Sequence, residues 1–441
     1  MLKATKMGGP VLTAICHKFS KVVQKLTTHF TNRFCQIWHH QSFGIILKVY
    51  VVTFFLVLPI LCYKLPYSIY FMESFVPSVE EMTQQELREN QRLTNEAWDY
   101  VHLNGIGKDY QKILDTIGSR NRKIKGPQNA TVLITVISIN RKEVKGYLTR
   151  TIAKLHRLIK IFHKNSGLRN YFAFALCNAD TWPIDNRELY RVASTLNLPI
   201  FERFASPVRQ INDNLFNVFG KEKDDYAYCL QESLNHNPEF VLLLEDDALP
   251  TENALSVIHR ITSYSFQHYS KYEQDRIAYF KLFHPSRLLR YYSTDADRIP
   301  KLLALGAIFG TITFWIYLKF WKPRKHTQFL WIVIIFYFVL LFFCIGHPYV
   351  LRLHNLSVTF YQIVPAPFCC TPAMLYPSHS GKLMADYLRD TPWKAHPKDK
   401  IIDMYLRETG SKGWMVLPNL FDHIGLYSTL GKNFLNPYFS N

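Results

Sequence analysis

Residues Phe329 to Ile345, FLWIVIIFYFVLLFFCI, form a run without charge, glycine or proline. Such a run has no place on a solvated surface, and it approaches the ~20 residues that cross ~30 Å of hydrocarbon. Two further runs resemble it: Gly44 to Tyr63, GIILKVYVVTFFLVLPILCY, and Leu302 to Leu318, LLALGAIFGTITFWIYL. A buried core helix is the rival reading of each, and a cleaved signal peptide of the first. More than forty residues precede that first run, and no small-residue cleavage site follows it. The chain therefore reads as three membrane spans joined to folded segments. None of the spans carries an acid, which speaks against a channel or transport subunit.

Charge sets the orientation. Lys3, Lys6, Lys18, Lys21, Lys25 and Arg33 precede the first span, and no acid occurs before Glu73. Lys319, Lys322, Arg324 and Lys325 cluster between the second and third spans. The positive-inside rule puts both segments in the cytosol and the remainder in the lumen. A formal charge of +18 would permit nucleic-acid binding. The basic residues flank apolar runs rather than an aromatic RNA-binding signature, so no nucleic-acid partner is expected. The sequons at Asn129 and Asn355 both fall on the lumenal side. Cys177, Cys229, Cys369 and Cys370 would share an oxidising compartment, with three pairings open. A bridge between the adjacent Cys369 and Cys370 is disfavoured, because disulfides span Cα atoms further apart than ~4 Å.

The expected organisation is a basic cytosolic segment over 1–43, a span over 44–63 and a lumenal stem over 64–129. A folded domain follows over 130–300 and resumes over 347–441. Spans over 301–321 and 329–346, joined by a cytosolic loop over 322–328, interrupt it. From Ala130 onward, β-branched runs alternate with helical stretches: ATVLITVISIN, YLTRTIAKLHRLIKIF, YFAFALCNAD, RELYRVASTLN, LPIFERF, DDYAYCLQESLNH and EFVLLLEDDALP. That alternation predicts an α/β fold with a Rossmann-like, mostly parallel sheet. Both ends of the hairpin return to the lumen, so the domain can close across it.

The stretch FVLLLEDDALPT, Phe240 to Thr251, runs five apolar residues into Glu245, Asp246 and Asp247. In open α/β sheets, ligands bind beyond the carboxyl ends of the strands. Three acids there suit a hard divalent cation, Mn²⁺ or Mg²⁺, that would meet the diphosphate of a nucleotide sugar. A polar turn closing a strand is the plainer reading of any such triplet. The buried strand before it and ALPTENAL after it favour the chemical one.

FVLLLEDDALPTENAL resembles the acidic metal-binding motif of GT-A glycosyltransferases. The closer resemblance is to the family of post-GPI attachment to proteins factor 4, the Golgi GPI-glycan N-acetylgalactosaminyltransferases, and to the related N-acetylglucosaminyltransferase IV. INRKEVKGYLTRTIAKL looks like that family's first strand-to-helix turn, and DKIIDMYLRE with LPNLFDHIGLYSTLGK like its C-terminal block. The resemblance covers about residues 130 to 432 outside the hairpin. It implies a GT-A fold split by a transmembrane hairpin, in a multi-pass Golgi protein with a cytosolic N-terminus. The implied activity is inverting transfer of N-acetylgalactosamine from UDP-GalNAc to a mannose of the GPI anchor, with GPI-anchored proteins as acceptors. Alternatives are N-acetylglucosamine transfer to N-glycans, or a non-catalytic membrane scaffold. By the same resemblance Asp247 ligates the metal, with Asp246 and His423 completing the site. Glu245, Asp246, Ser138 and Arg141 meet the donor, and Asp403 is the general base. PFCCTPAMLYP stands where relatives carry a glycine-rich loop, making Thr371 and Pro372 the candidates for donor-sugar contact.

Overall fold

The computed structural model describes residues 41–105, 130–141, 144–168, 170–180, 185–203, 218–291, 298–320, 327–392, 396–428 and 433–439. The sequon Asn129, Cys16, Cys35 and most of the cytosolic loop lie outside them. The chain divides into two units: residues 1–72 with 300–345, and residues 73–299 with 346–441.

The first unit holds three helices long and apolar enough to cross a membrane: Gly44–Cys62, Arg298–Phe320 and Gln328–Ile345. The second and third pack closely because Gly306 and Gly310 lack side chains. A Cβ at Gly306 would lie 2.3 Å from Val339 Cγ2, and one at Gly310 would lie 2.6 Å from Ile335 Cα. Such small-residue contacts hold helices together where no hydrophobic force acts between them. The first helix joins the third through polar ties: Tyr50 OH donates to Val333 O at 2.6 Å, and Thr53 Oγ1 lies 3.0 Å from Tyr337 OH. Outward, Trp315, Ile316, Ile332 and Phe336 are exposed, as lipid-facing residues would be.

The second unit is built on strands β1 (Val132–Ser138), β2 (Phe172–Asn178), β3 (Ile200–Glu202), β4 (Phe240–Glu245), β5 (Ala248–Pro250), β6 (Ile277–Lys281), β7 (Gln362–Pro365), β8 (Ala373–Pro377), β9 (Lys412–Leu417) and β10 (Phe421–His423). Eight of them form one sheet in the order β3-β2-β1-β4-β8-β6-β9-β7. The β3-β2-β1-β4 half is parallel, as are β6 and β9, whereas β8 and β7 run antiparallel to their neighbours. β1 and β4 are buried almost throughout, the condition for a sheet covered on both faces. Strands on both sides of the apolar helix pair in sequence thus belong to one sheet. β5 and β10 make a separate two-stranded ribbon beyond the end of β4.

Two features depart from the sequence reading. The segment expected as a stem, helix-prone over Ser78–Trp98, forms the helix Val79–Asn104 from a Ser78/Glu81 capping box, and the departure is that this helix packs on the sheet unit. Val101 is buried in the core, and Asn90 Nδ2 donates to Lys145 O while Asn90 Oδ1 accepts from Arg150. Its inward face is largely polar, so hydrophobic periodicity does not reveal that packing. Second, Cys369 and Cys370 are bridged, with Cα atoms 3.8 Å apart, and both have positive φ, 100° and 63°. The unusual backbone of the loop brings together two sulfurs that an extended chain would keep apart. The other bridge, Cys177–Cys229, ties the end of β2 to the helix Val218–Leu234.

Candidate active site

β4 delivers the acids. Phe240 to Leu244 are buried, which fixes the strand between β1 and β8 and leaves Glu245 at its carboxyl end. The chain then turns into β5, whose pairing sets Ala248 opposite His423 of β10. That register, with Ile424 N–H donating to Asp247 O at 2.9 Å, carries the imidazole to the acids from 176 residues away. Glu245, Asp247 and His423 each offer a ligand atom, and these lie within 4.8 Å of one another.

Each acid has a distinct environment. Glu245 accepts from Lys398 Nζ at 2.7 Å, and that ammonium also meets Glu222 at 2.8 Å and lies over the Tyr226 ring. Burial opposes the Lys398 charge, but Glu222, Glu245 and Asp399 more than restore it. Asp246 turns to Arg141, whose Nε and Nη2 reach its Oδ1 at 3.1 and 2.5 Å. Burial outweighs Arg141 and, with the Asp247 charge, raises the Asp246 pKa. Asp247 meets Arg141 Nη2 at 2.8 Å and His423 Nε2 at 3.5 Å through Oδ2. Burial opposes its charge too, yet Arg141 and His423 prevail and its pKa is lowered. Its other oxygen, Oδ1, is buried without a hydrogen-bond partner. Arg141 already balances the charge, so what the orphaned oxygen leaves open is a coordination position that a cation could fill. The donor set fits Mn²⁺ or Mg²⁺: carboxylate oxygens with one imidazole. The side chains brought together as possible metal ligands are Glu245, Asp247 and His423, while Asp246 is turned to Arg141.

Gly425 closes the back of the cluster, since a Cβ there would sit 2.2 Å from Asp247 Oδ2. Tyr147 joins the two ends of the site. Its ring lies under Arg141, and its hydroxyl accepts from Leu426 N–H at 3.0 Å. Beside Asp246 opens a cleft of about 310 Å³, lined by Ser138, Arg141, Lys145, Tyr147, Asn186 and Glu188 among others. Ser138 is buried at the end of β1, and its Oγ accepts from Asn186 Nδ2 at 3.1 Å.

The cysteine loop forms a further wall. Pro372 O accepts from Glu245 N–H at 2.8 Å, holding the loop beside the acids. Asp399 accepts from Cys370 N–H at 2.7 Å and from the buried Thr371 hydroxyl at 2.9 Å. Lys281 Nζ donates to the carbonyls of Pro367 and Cys369. Burial pushes the Lys281 pKa down to about 8, against the attraction of Asp399 and Asp403. Asp403, one helical turn beyond Asp399, meets Arg407 at 2.9 Å. Lys398, Lys281, Asp399 and Gly425 all belong to the site, and their places follow only from the tertiary fold.

A family model described as GPI-N-acetylgalactosamine transferase PGAP4 matches residues 132–422, from the first residue of β1 to the second of β10. Among solved structures, the mannosyltransferase PcManGT from Pyrobaculum calidifontis, in complex with GDP-Man and Mn²⁺, is similar at 10% identity. The alignment covers 74% of this chain and 91% of that one, with a TM-score of 0.21, too low for it to carry any argument.

Proposed function

The chain belongs to the GPI-N-acetylgalactosamine transferase PGAP4 family, and from that premise we propose that it transfers N-acetylgalactosamine from UDP-GalNAc to a mannose of the GPI anchor. The observation that carries the chemistry is Asp247, which keeps one buried oxygen without a partner and lies in one cluster of possible ligands with Glu245 and His423. A divalent cation held by these three would offset the negative charge that builds on the departing diphosphate.

The residues divide the remaining work. The uridine part of the donor lies in the cleft beside Ser138 and Arg141, the sugar under Thr371 and Pro372 with Glu245 at its edge. Arg141 fixes the Asp246 and Asp247 carboxylates so that the site is assembled before the donor arrives. Asp399 and Lys281 hold the loop that covers the sugar. Asp403 takes the proton of the acceptor hydroxyl as that oxygen bonds to the anomeric carbon. The bond from that carbon to the diphosphate oxygen breaks on the opposite face, its electron pair leaves with UDP, and the configuration inverts. Asp399 suits the base role less well, because its two oxygens already accept from Cys370 N–H and Thr371.

The three apolar helices support a multi-pass membrane protein, which by its resemblance we place in the Golgi, and the Cys177–Cys229 bridge supports an oxidising lumenal compartment for the sheet unit. The test is a screen of UDP-GalNAc and UDP-GlcNAc against a mannose-bearing GPI glycan and an N-glycan, with purified protein and Mn²⁺. The reading expects GalNAc transfer to the GPI glycan. Transfer of N-acetylglucosamine to the N-glycan alone, or of neither sugar, would overturn it.

A further inference from the structure

The loop between β7 and β8 is fixed at both ends and clamped in the middle. Ala366 N–H donates to Gly413 O of β9 at 2.9 Å, and Ala373 O accepts from Leu282 N–H at 2.9 Å. Between them, the peptide group that joins Cys369 to Cys370 is held on both sides. Its carbonyl accepts from the buried Lys281 Nζ, and its N–H donates to Asp399 Oδ2 at 2.7 Å. The other Asp399 oxygen accepts from the Thr371 hydroxyl, and Pro372 O accepts from Glu245 N–H. Thr371 and Pro372 directly follow the clamped peptide, so its orientation sets theirs.

That orientation is one that L-residues seldom adopt. Among the described residues, five other than glycine have positive φ. Three are asparagines, Asn170, Asn197 and Asn237, whose short polar side chain tolerates the left-handed region. The other two are Cys369 at 100° and Cys370 at 63°, adjacent and bridged to each other. Glycine would take such angles without steric cost. Here two cysteines take them as members of one covalent ring, which closes through the clamped peptide. Both are partly exposed, so the bridge is open to a reductant in solution, whereas Cys177 and Cys229 are fully buried.

We infer that the Cys369–Cys370 bridge positions the donor loop by standing in for glycine, and that a dithiol which opens it weakens donor binding. The inference rests on the proposed function in one respect, that this loop covers the donor sugar. Opening the bridge moves two electrons and two protons from the dithiol, which becomes a disulfide, to the two sulfurs, which become thiols. Free of the ring, Cys369 and Cys370 relax to negative φ, and the peptide between them turns away from Lys281 and Asp399. Thr371 and Pro372 then lose their fixed places. The acids that end β4 are untouched, so the effect falls on donor KM rather than kcat.

The test compares Cys369→Ala/Cys370→Ala with Cys369→Gly/Cys370→Gly in the full chain. A left-handed position costs alanine about tenfold in population, so two of them lower the competent fraction, and raise the UDP-GalNAc KM, by up to about 10²-fold. Glycine takes either sign of φ about equally, so the second variant loses only about fourfold. The alanine pair should therefore show a KM at least about tenfold above the glycine pair, with kcat little changed in both. Dithiothreitol should raise the KM of the native protein and leave that of the glycine pair unmoved. Equal KM in the two variants, a native KM in the alanine pair, or a dithiothreitol effect that persists in the glycine pair would overturn the inference. Hydrogen exchange at the Cys370 amide, read by mass spectrometry, separates it from the proposed function. Faster exchange in the alanine pair than in the native and glycine proteins, without UDP-GalNAc turnover in any of them, would remove the transferase reading and leave the positioned loop. Turnover with exchange equally slow in all three would do the reverse.

Discussion

Replacing Gly425 with alanine adds one methyl group to the back of the proposed metal site. The added Cβ would stand 2.2 Å from Asp247 Oδ2, 3.1 Å from Asp247 Cγ and 3.2 Å from His423 Cε1. Carbon atoms essentially never approach closer than 3.0 Å in this setting, so the carboxylate must retreat by at least 3.0 − 2.2 = 0.8 Å. Gly425 is not in the left-handed backbone region, so alanine brings no conformational strain of its own. Metal–ligand distances tolerate about ±0.2 Å, and a misplacement of about 1 Å costs about 10²-fold in rate. Gly425→Ala should therefore weaken Mn²⁺ binding at least about tenfold and lower kcat about 10²-fold, with the thermal midpoint little changed. Calorimetric titration of Mn²⁺ alongside UDP release reads both quantities. A folded Gly425→Ala protein with unaltered Mn²⁺ affinity would refute the placement of Asp247 as a ligand.

Further consequences follow from the neighbouring groups. Asp403→Asn should lower kcat by about 10²–10⁴-fold with donor KM preserved, while Asp399→Asn, which releases the cysteine loop, should raise donor KM; steady-state kinetics separates them. Lys398→Met leaves Glu222 and Glu245 without their cation and should destabilise the sheet unit by about 3 kcal/mol, seen as a lower thermal midpoint that Lys398→Arg partly restores. His284 is buried, its Nδ1 has no hydrogen-bond partner, and burial, with Lys281 and Arg298, holds its pKa down to about 3. A folded pKa below the unfolded value of about 6.5 means stability is complete above pH 6.5 and declines toward pH 3. Relative to His284→Gln, the native protein should lose about 3 kcal/mol between pH 6.5 and 4 in thermal unfolding. Parallel pH profiles for the two proteins would contradict this.

What the sequence makes legible follows from how each element is stabilised. β1, β2 and β4 are buried on both faces and stand out as unbroken apolar runs. β6 is hidden because it is short, directly follows a helix and ends in Lys281, a charge that is nonetheless buried against backbone carbonyls. SVTFYQIVPAPFCCTPAMLYP reads as a single strand-like run, but the bridged cysteine loop divides it into β7 and β8. The helix Val79–Asn104 escapes notice as part of the sheet unit because Thr83, Asn90 and Thr94 are among the residues it buries. At the site, the acids are conspicuous because they end a buried strand, and His423 is identified through a resemblance. The cations that divide the acids between them are not conspicuous. Lys398 lies 153 residues from Glu245 and Arg141 lies 105 from Asp246, so only the fold assigns the pairs.

The question of how three adjacent carboxylates coexist resolves by partner. Glu245 is balanced by Lys398 and Asp246 by Arg141, and Asp247 keeps one oxygen in reserve. Electron paramagnetic resonance of Mn²⁺ added to purified protein examines that reserved oxygen most directly. The expected spectrum reports one bound ion per chain in the native protein and none at the same concentration in Asp247→Asn. Undiminished Mn²⁺ binding by folded Asp247→Asn, or no bound ion in the native protein, would contradict the assignment.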